Sequence, residues 1–237
     1  MEKYNVIAND VRRKILDGIY KANDQLPFEK DLCEVYEVSK MTVKKALDIL
    51  VAEGLIIKRR GAGTFVKDLS VEDMEKMVVG SQMIGTSAYY PTRTVTSKVL
   101  HFEIIAASEK VANKLNIPIG SFVYDIERVR ILDGSPLVME NTFMPVSVIP
   151  DLRLKNVEES IYEYIQDSLG MKIQSVHRNI TVRKASDAEV QHLELEQGDP
   201  VGIVEQIGFL SNGTTFEYSI STHRYDTFSI EMMIRQD

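Results

Sequence analysis

Two stretches of this chain, 78 positions apart, carry the same pattern, so any fold must build one unit twice. ASEKVANKLNIPIGSFVYDIERVRILDGSPLVMEN begins at Ala107 and ASDAEVQHLELEQGDPVGIVEQIGFLSNGTTFEYS at Ala185. Ala107 and Ala185, Ser108 and Ser186, Leu115 and Leu193, Gly120 and Gly198, Val123 and Val201, and Glu127 and Glu205 coincide without a gap. Each copy reads as a capped helix, a turn, a strand, a Gly-containing hairpin and a second strand. Two such units predict one antiparallel sheet with helices packed on it, and a pseudo-symmetric cleft suited to a ligand. The copies end in comparable carboxylates, Glu140 and Glu217, with the second hairpin read as two residues shorter.

Differences between the copies point to chemistry. Arg128 and Arg130 lie two apart, on one strand face with Tyr124, Ile126 and Leu132, and their counterparts are Gln206 and Gly208. Two guanidiniums among apolar neighbours need counter-charge, which a phosphate or carboxylate ligand would supply. The alternative is that they face solvent or pair with Glu127 or Asp125. Whether Glu140 joins their face depends on the loop at Gly134, because one residue of slip reverses it. Ser160 and Glu163 have capping-box spacing; Ser160 and Tyr162 at a helix start would equally suit a phosphate.

The first part of the chain has a different character. Residues 1–69 hold 13 Lys and Arg against 11 Asp and Glu, in a chain whose net charge is -7. Tyr4, Ile7, Ala8, Val11, Ile15 and Ile19 predict one helix, LPFEKDLCEVYE a short second, and Lys40 to about Glu53 a third, capped by Ser39. Val43, Ala46, Leu47, Leu50 and Val51 form the third helix's apolar face, leaving Lys40, Met41, Lys44 and Lys45 elsewhere. A lysine at a helix N-terminus opposes the dipole unless an external anion is present. Gly54 stops this helix, and Leu55 to Arg60 and Gly63 to Val66 predict a hairpin with Gly61 and Ala62 at its tip beside Lys58, Arg59 and Arg60. Helix, short helix, capped basic helix and basic hairpin in that order predict a winged helix-turn-helix reaching DNA.

YNVIANDVRRKILDGIY, LPFEKDL, VSKMTVKKALDILVAEGLI and RRGAGTFV resemble the winged helix of the GntR family of bacterial transcription regulators. The resemblance implies DNA contacts from Lys30, Lys40, Lys44 and Gly61, with Thr42 on a phosphate; Ser39, Met41, Arg59 and Arg60 complete the expected interface. Lysine stands at three positions where the family often has arginine, and Phe28 replaces a capping serine. The second half, with ERVR, the glutamate of VMENTFMP, ESIYEY and FEYS, is similar to the UTRA effector domain of the HutC subfamily, a fold related to chorismate lyase. That likeness implies Arg128, Arg130, Ser160 and Tyr162 around an anionic group, often a sugar phosphate, with Glu140 and Glu217 on hydroxyls. His223 replaces a tyrosine associated with ligand contact, and Thr86 and Ser87 lie where another phosphate contact is expected.

The expected architecture is α+β: a winged helix over 1–69, a linker over 70–80 and an effector domain over 81–237. The expected function is a ligand-responsive repressor that binds a palindromic double-stranded operator as a homodimer. A small anionic metabolite, most simply a sugar phosphate, would release it; a non-phosphorylated carboxylate is the alternative effector. No catalytic residue, cofactor or metal site is expected, since His101, His177, His192 and His223 are scattered and no nucleotide or nucleophile motif occurs. A lyase-like enzyme is the competing class, with Glu140 and Glu217 as acid and base, and a constitutive DNA-binding protein is a third reading. Cys33, the only cysteine, excludes an intrachain disulfide and is expected to be a small buried helix residue. No apolar run approaches the roughly 20 residues that span a bilayer, and the start lacks a signal-peptide layout, so a cytoplasmic location is expected.

Overall fold

The protein, a computed structural model, is described over residues 2–70 and 93–230. The chain separates into two compact units. The expected linker, Ser70 apart, lies outside the described residues.

In the first unit the apolar spacing does what it predicts. Helices α1 (Lys3–Leu16), α2 (Glu29–Tyr36) and α3 (Lys40–Ala52) are followed by strands β1 (Ile56–Arg59) and β2 (Gly63–Val66). Ile7, Ala8, Val11 and Ile15 of α1 meet Val43, Ala46, Leu47 and Leu50 of α3 in one core. Cys33 packs half-buried at its margin. Glu37 takes left-handed backbone after α2, which turns the chain sharply into α3. Arg12 Nε donates to Glu53 at 2.8 Å, tying α1 to the end of α3. Phe28 gives α2 no side-chain cap; instead the Phe28 amide donates to the Asp31 carboxylate at 3.2 Å.

The second unit makes the duplication visible. Its elements are β3 (Val95–Ala106), α4 (Glu109–Leu115), β4 (Phe122–Leu132), β5 (Ser135–Pro145), α5 (Leu154–Glu158), α6 (Ile161–Glu163), β6 (Ile173–Lys184), α7 (Asp187–Leu193), β7 (Pro200–Leu210) and β8 (Thr215–Arg224). The bounds of β3, α4 and β4 map onto those of β6, α7 and β7 at the 78-residue offset. The repeat therefore begins a strand earlier than the matching residues disclose. Among the described residues the antiparallel sheet runs β3-β4-β5-β8-β7-β6, so the copies meet where β5 pairs with β8. Ser108 and Ser186 each accept a bond from the third residue of the helix they cap.

Three expectations need correction. The second hairpin loop is longer: Leu210 binds back to Thr214 across three residues, where Leu132 pairs with Ser135 across two. Glu140 and Glu217 are consequently not register equivalents. Glu140 sits opposite Arg128, and the matching place opposite Gln206 is held by Ser219. The segment after Ser160 is one α turn that widens into a π-helical turn over Tyr164–Ser168, which keeps Ile161 and Ile165 buried.

Candidate effector cleft and nucleic-acid interface

Strand pairing decides which side chains share a face. Arg128 is opposite Val99 on β3 and Glu140 on β5, Glu140 opposite Ser221 on β8, and Ser219 opposite Gln206 on β7. One face of the sheet thus carries a polar band from Arg130 and Arg128 through Glu140 to Ser219 and Gln206. Asp125 and Glu127 point to the other face, where α4 packs through Val111, Ala112 and Leu115. They do not balance the arginines.

Counter-charge comes from elsewhere. Arg128 Nε donates to Glu140 at 2.8 Å and its terminal nitrogen to the Val157 carbonyl at 2.5 Å. Arg130, 2% exposed, donates to Ser97 Oγ at 2.6 Å and to the Glu159 carbonyl at 2.8 Å. Carbonyls at the end of α5, the negative end of a helix, and one carboxylate thus face two buried guanidiniums. Burial and then Arg128 push Arg130 down to about 10. Beside Ser97, a cleft of about 430 Å³ is lined by Val95, Thr96, Ser97 and Ser160 with three glutamates, Glu158, Glu159 and Glu163. Ser160 Oγ accepts from the Glu163 amide at 3.3 Å, as a cap does.

Glu217 anchors a second group. Tyr162 Oη donates to it at 2.5 Å, Ser219 Oγ at 2.6 Å and Gln206 Nε2 at 3.2 Å. Burial raises the Glu217 carboxyl, while Ser219 and Tyr162 oppose that rise. The Tyr162 hydroxyl is raised by burial and then by Glu217. His223 stacks on Phe228 with centroids 4.6 Å apart, and burial pushes its imidazole down to about 4, leaving it neutral at pH 7. Arg128 and Glu140 are joined directly with Arg130 beside them on the same strand face, and Tyr162 and Glu217 form another contact group. Thr86 and Ser87 lie outside the described residues.

Sequence reasoning missed Ser97, Ser219 and Gln206 as members of these groups. Gln206 was visible as the counterpart of Arg128, but only as a residue that was not arginine. Ser97 sits in the strand preceding the aligned copies, and the matching Ser175 was its one identity signal.

On the first unit, Ser39 Oγ accepts from the Thr42 amide at 3.3 Å and lies 2.9 Å from Thr42 Oγ1. Lys40 and Lys30 are exposed and only loosely paired, with Glu29 at 3.7 Å and Glu34 at 4.0 Å. Met41 is 74% exposed at the same helix end, and Lys44 is exposed beside it. The neighbouring Lys45 folds over the Tyr4 ring at 3.6 Å, and Lys58 is held by Asp48 at 2.7 Å. Arg59 covers Phe65, Arg60 is exposed, and Gly61 turns the tip with φ +77°. Gln25 Nε2 donates to the Ala62 carbonyl at 2.9 Å, an anchor for the wing that no motif announced.

Comparison with known proteins agrees with both halves. The family model "Bacterial regulatory proteins, gntR family" matches residues 3–66, and the UTRA domain model matches residues 92–229. The HTH-type transcriptional regulator GmuR of Bacillus subtilis is 39% identical over 230 residues, covering 97% of each chain. A probable fructoselysine utilization operon transcriptional repressor of Escherichia coli O157:H7 is 35% identical, over 88% of this chain and 86% of its own. The crystal structure of the possible transcriptional regulator YydK from Bacillus subtilis superposes with a TM-score of 0.81 at 29% identity, over 99% of this chain and 100% of that one. The family binds DNA through the first domain and small effectors through the second, and its members are regulators and not enzymes. This chain belongs to the GntR family of bacterial transcriptional regulators, with the helix-turn-helix and UTRA architecture that fits the HutC subfamily.

Proposed function

We propose that the protein is a cytoplasmic repressor that holds a near-palindromic operator as a homodimer and lets go when a sugar phosphate binds its second domain. The observation that carries the effector reading is the pair of buried guanidiniums, Arg128 and Arg130, facing Glu140 beside the cleft at Ser97 and Ser160. A phosphate accepts several charge-assisted bonds from such a pair. Ser160 adds a hydroxyl, and Tyr162, Glu140, Glu217 and His223 present acceptors and donors to sugar hydroxyls; Thr86 and Ser87 belong to the same proposal. The neutral imidazole of His223 fits hydroxyl recognition better than anion binding.

On the DNA side, the exposed helix end at Ser39, Lys40, Met41, Thr42 and Lys44 enters the major groove, with Lys30 and the wing at Arg59, Arg60 and Gly61 on the backbone. Two winged helices related by a two-fold axis read two half-sites. Effector binding then shifts the population of arrangements that fit their spacing. The test uses DNA selected by the protein from a random library. Lys40→Ala and Lys44→Ala should each weaken binding about tenfold in fluorescence anisotropy, and phosphorylated sugars should release wild type where their unphosphorylated parents do not. Unchanged affinity in both variants would overturn the DNA assignment; release by unphosphorylated sugar acids alone would replace the phosphate with a carboxylate.

A further inference from the structure

We propose that Arg178, exposed on the outer strand β6, is a second anion-recognition point on the sheet face that carries Arg128, and that the effector carries a carboxylate at the end away from its phosphate. The inference rests on the phosphate reading of Arg128 and Arg130.

Register places Arg178 on the same sheet face. It is opposite Gln206, Gln206 is opposite Ser219, Ser219 opposite Thr142, and Thr142 opposite Ile126, which shares a strand face with Arg128. Arg178 Nε donates to Gln206 Oε1 at 2.7 Å, which orients the amide so that Nε2 reaches Tyr162 at 3.1 Å and Glu217 at 3.2 Å. Its charge is felt at both Tyr162 and His223. Arg178 is therefore wired into the half of the band that holds no other guanidinium among the described residues.

Nothing in the scaffold calls for a cation there. The residue 78 positions earlier is Leu100, which lies at a bulge in β3. Among the described residues Arg178 makes its hydrogen bond to Gln206 and sits in no ion pair. Glu217 forms no ion pair with it, and the Glu217 oxygens accept from Tyr162, Ser219 and Gln206. Arg128 and Arg178 stand on strands four spacings apart, about 19 Å across the sheet. A ligand with an anion at each end would bridge that span between the two side chains.

The test compares sorbitol 6-phosphate with 6-phosphogluconate, two open-chain ligands that share the phosphate and differ only in a hydroxymethyl for the carboxylate, by thermal-shift titration of the full chain. Wild type should prefer 6-phosphogluconate by about tenfold, the scale of one charge-assisted contact. That ratio should fall to about one in Arg178→Gln and recover in part in Arg178→Lys, while Arg128→Gln weakens both ligands. If sorbitol 6-phosphate binds but wild type shows no preference, or the preference survives Arg178→Gln, the inference falls and the phosphate reading stands. If Arg128→Gln changes neither ligand, or neither stabilises wild type at roughly 10 mM, the phosphate reading falls and takes the inference with it.

Discussion

The two copies of the repeat share a backbone and differ in where they put charge. Under α4 the copy-one seat is apolar: Val111 is buried and Ile105 lies alongside it. The same places in copy two hold Glu189, equally buried, and Arg183, joined at 2.6 Å. Across the sheet the polarity reverses. Copy one carries Arg128 against Glu140 and the buried Arg130, whereas copy two carries Gln206 against Ser219 and a glycine, Gly208. The fold asks only for alternation and volume at these positions. Charge appears where one copy alone has partners for it, which is how a symmetric scaffold acquires an asymmetric cleft.

The largest expected effect comes from Gly208. A Cβ there would meet a Phe216 ring carbon at 2.6 Å, and Phe216 is fully buried. Gly208→Ala should cost about 3 kcal/mol in urea unfolding, the upper end of overpacking. A cost below about 0.5 kcal/mol would show that the ring yields, and that crowding does not explain why copy two lacks the second arginine.

Next comes the ion pair under α7. Glu189 also takes the Ser186 amide and the Thr222 hydroxyl, at 2.8 and 2.9 Å. Glu189→Ala should cost about 2 kcal/mol, discounted because the Arg183 side chain is half exposed. Installing copy one's pair, Arg183→Ile with Glu189→Val, should return stability to within about 1 kcal/mol of wild type. Failure of that rescue would mean that the two seats are not interchangeable.

The same carboxylate predicts a pH dependence. Burial alone would raise Glu189, but Arg183, Ser186 and Thr222 outweigh it and hold the group at about 2, against an ordinary 4.5. A depressed folded-state value means that the unfolded chain binds the proton first. The Glu189 contribution is thus complete above pH 4.5 and is lost as pH falls towards 2. The double variant should lose stability less steeply through that window; equal slopes in the two proteins would remove Glu189 from the account.

The smallest effect separates the helix ends. Asn116 after α4 and Glu194 after α7 both take φ 53°. Asparagine tolerates left-handed backbone better than glutamate. Glu194→Asn should gain about 0.5 kcal/mol and Asn116→Glu lose as much; changes of the opposite sign would point to side-chain contacts outweighing the backbone.

Much of the first unit was legible because its signals are local. The stripe from Ile7 to Ile15, the Ser39 cap and the Gly61 tip each depend on residues within a turn or two. Lys58 was not legible as a helix-to-wing tie, because its partner Asp48 lies on a different element. In the second unit the capped helix, the strand after it and the hairpin of each copy followed from the repeat, whereas β3 and β6, ahead of the matching residues, and the hairpin loop after Leu210 did not. One residue more in that loop changed which carboxylate stands opposite which strand residue.

By itself the sequence determined the winged helix, the doubled sheet-and-helix unit and the arginine pair as an asymmetry between copies, because periodicity, capping and repetition act over a few residues. Only the tertiary structure decided that Glu140 faces Arg128, that α5 carbonyls cap both guanidiniums, and that Arg178 joins the band through Gln206. Side chains alternate with a period of two, so a face belongs to the register of paired strands. Register is fixed by contacts between residues far apart in the chain, and no local pattern records them.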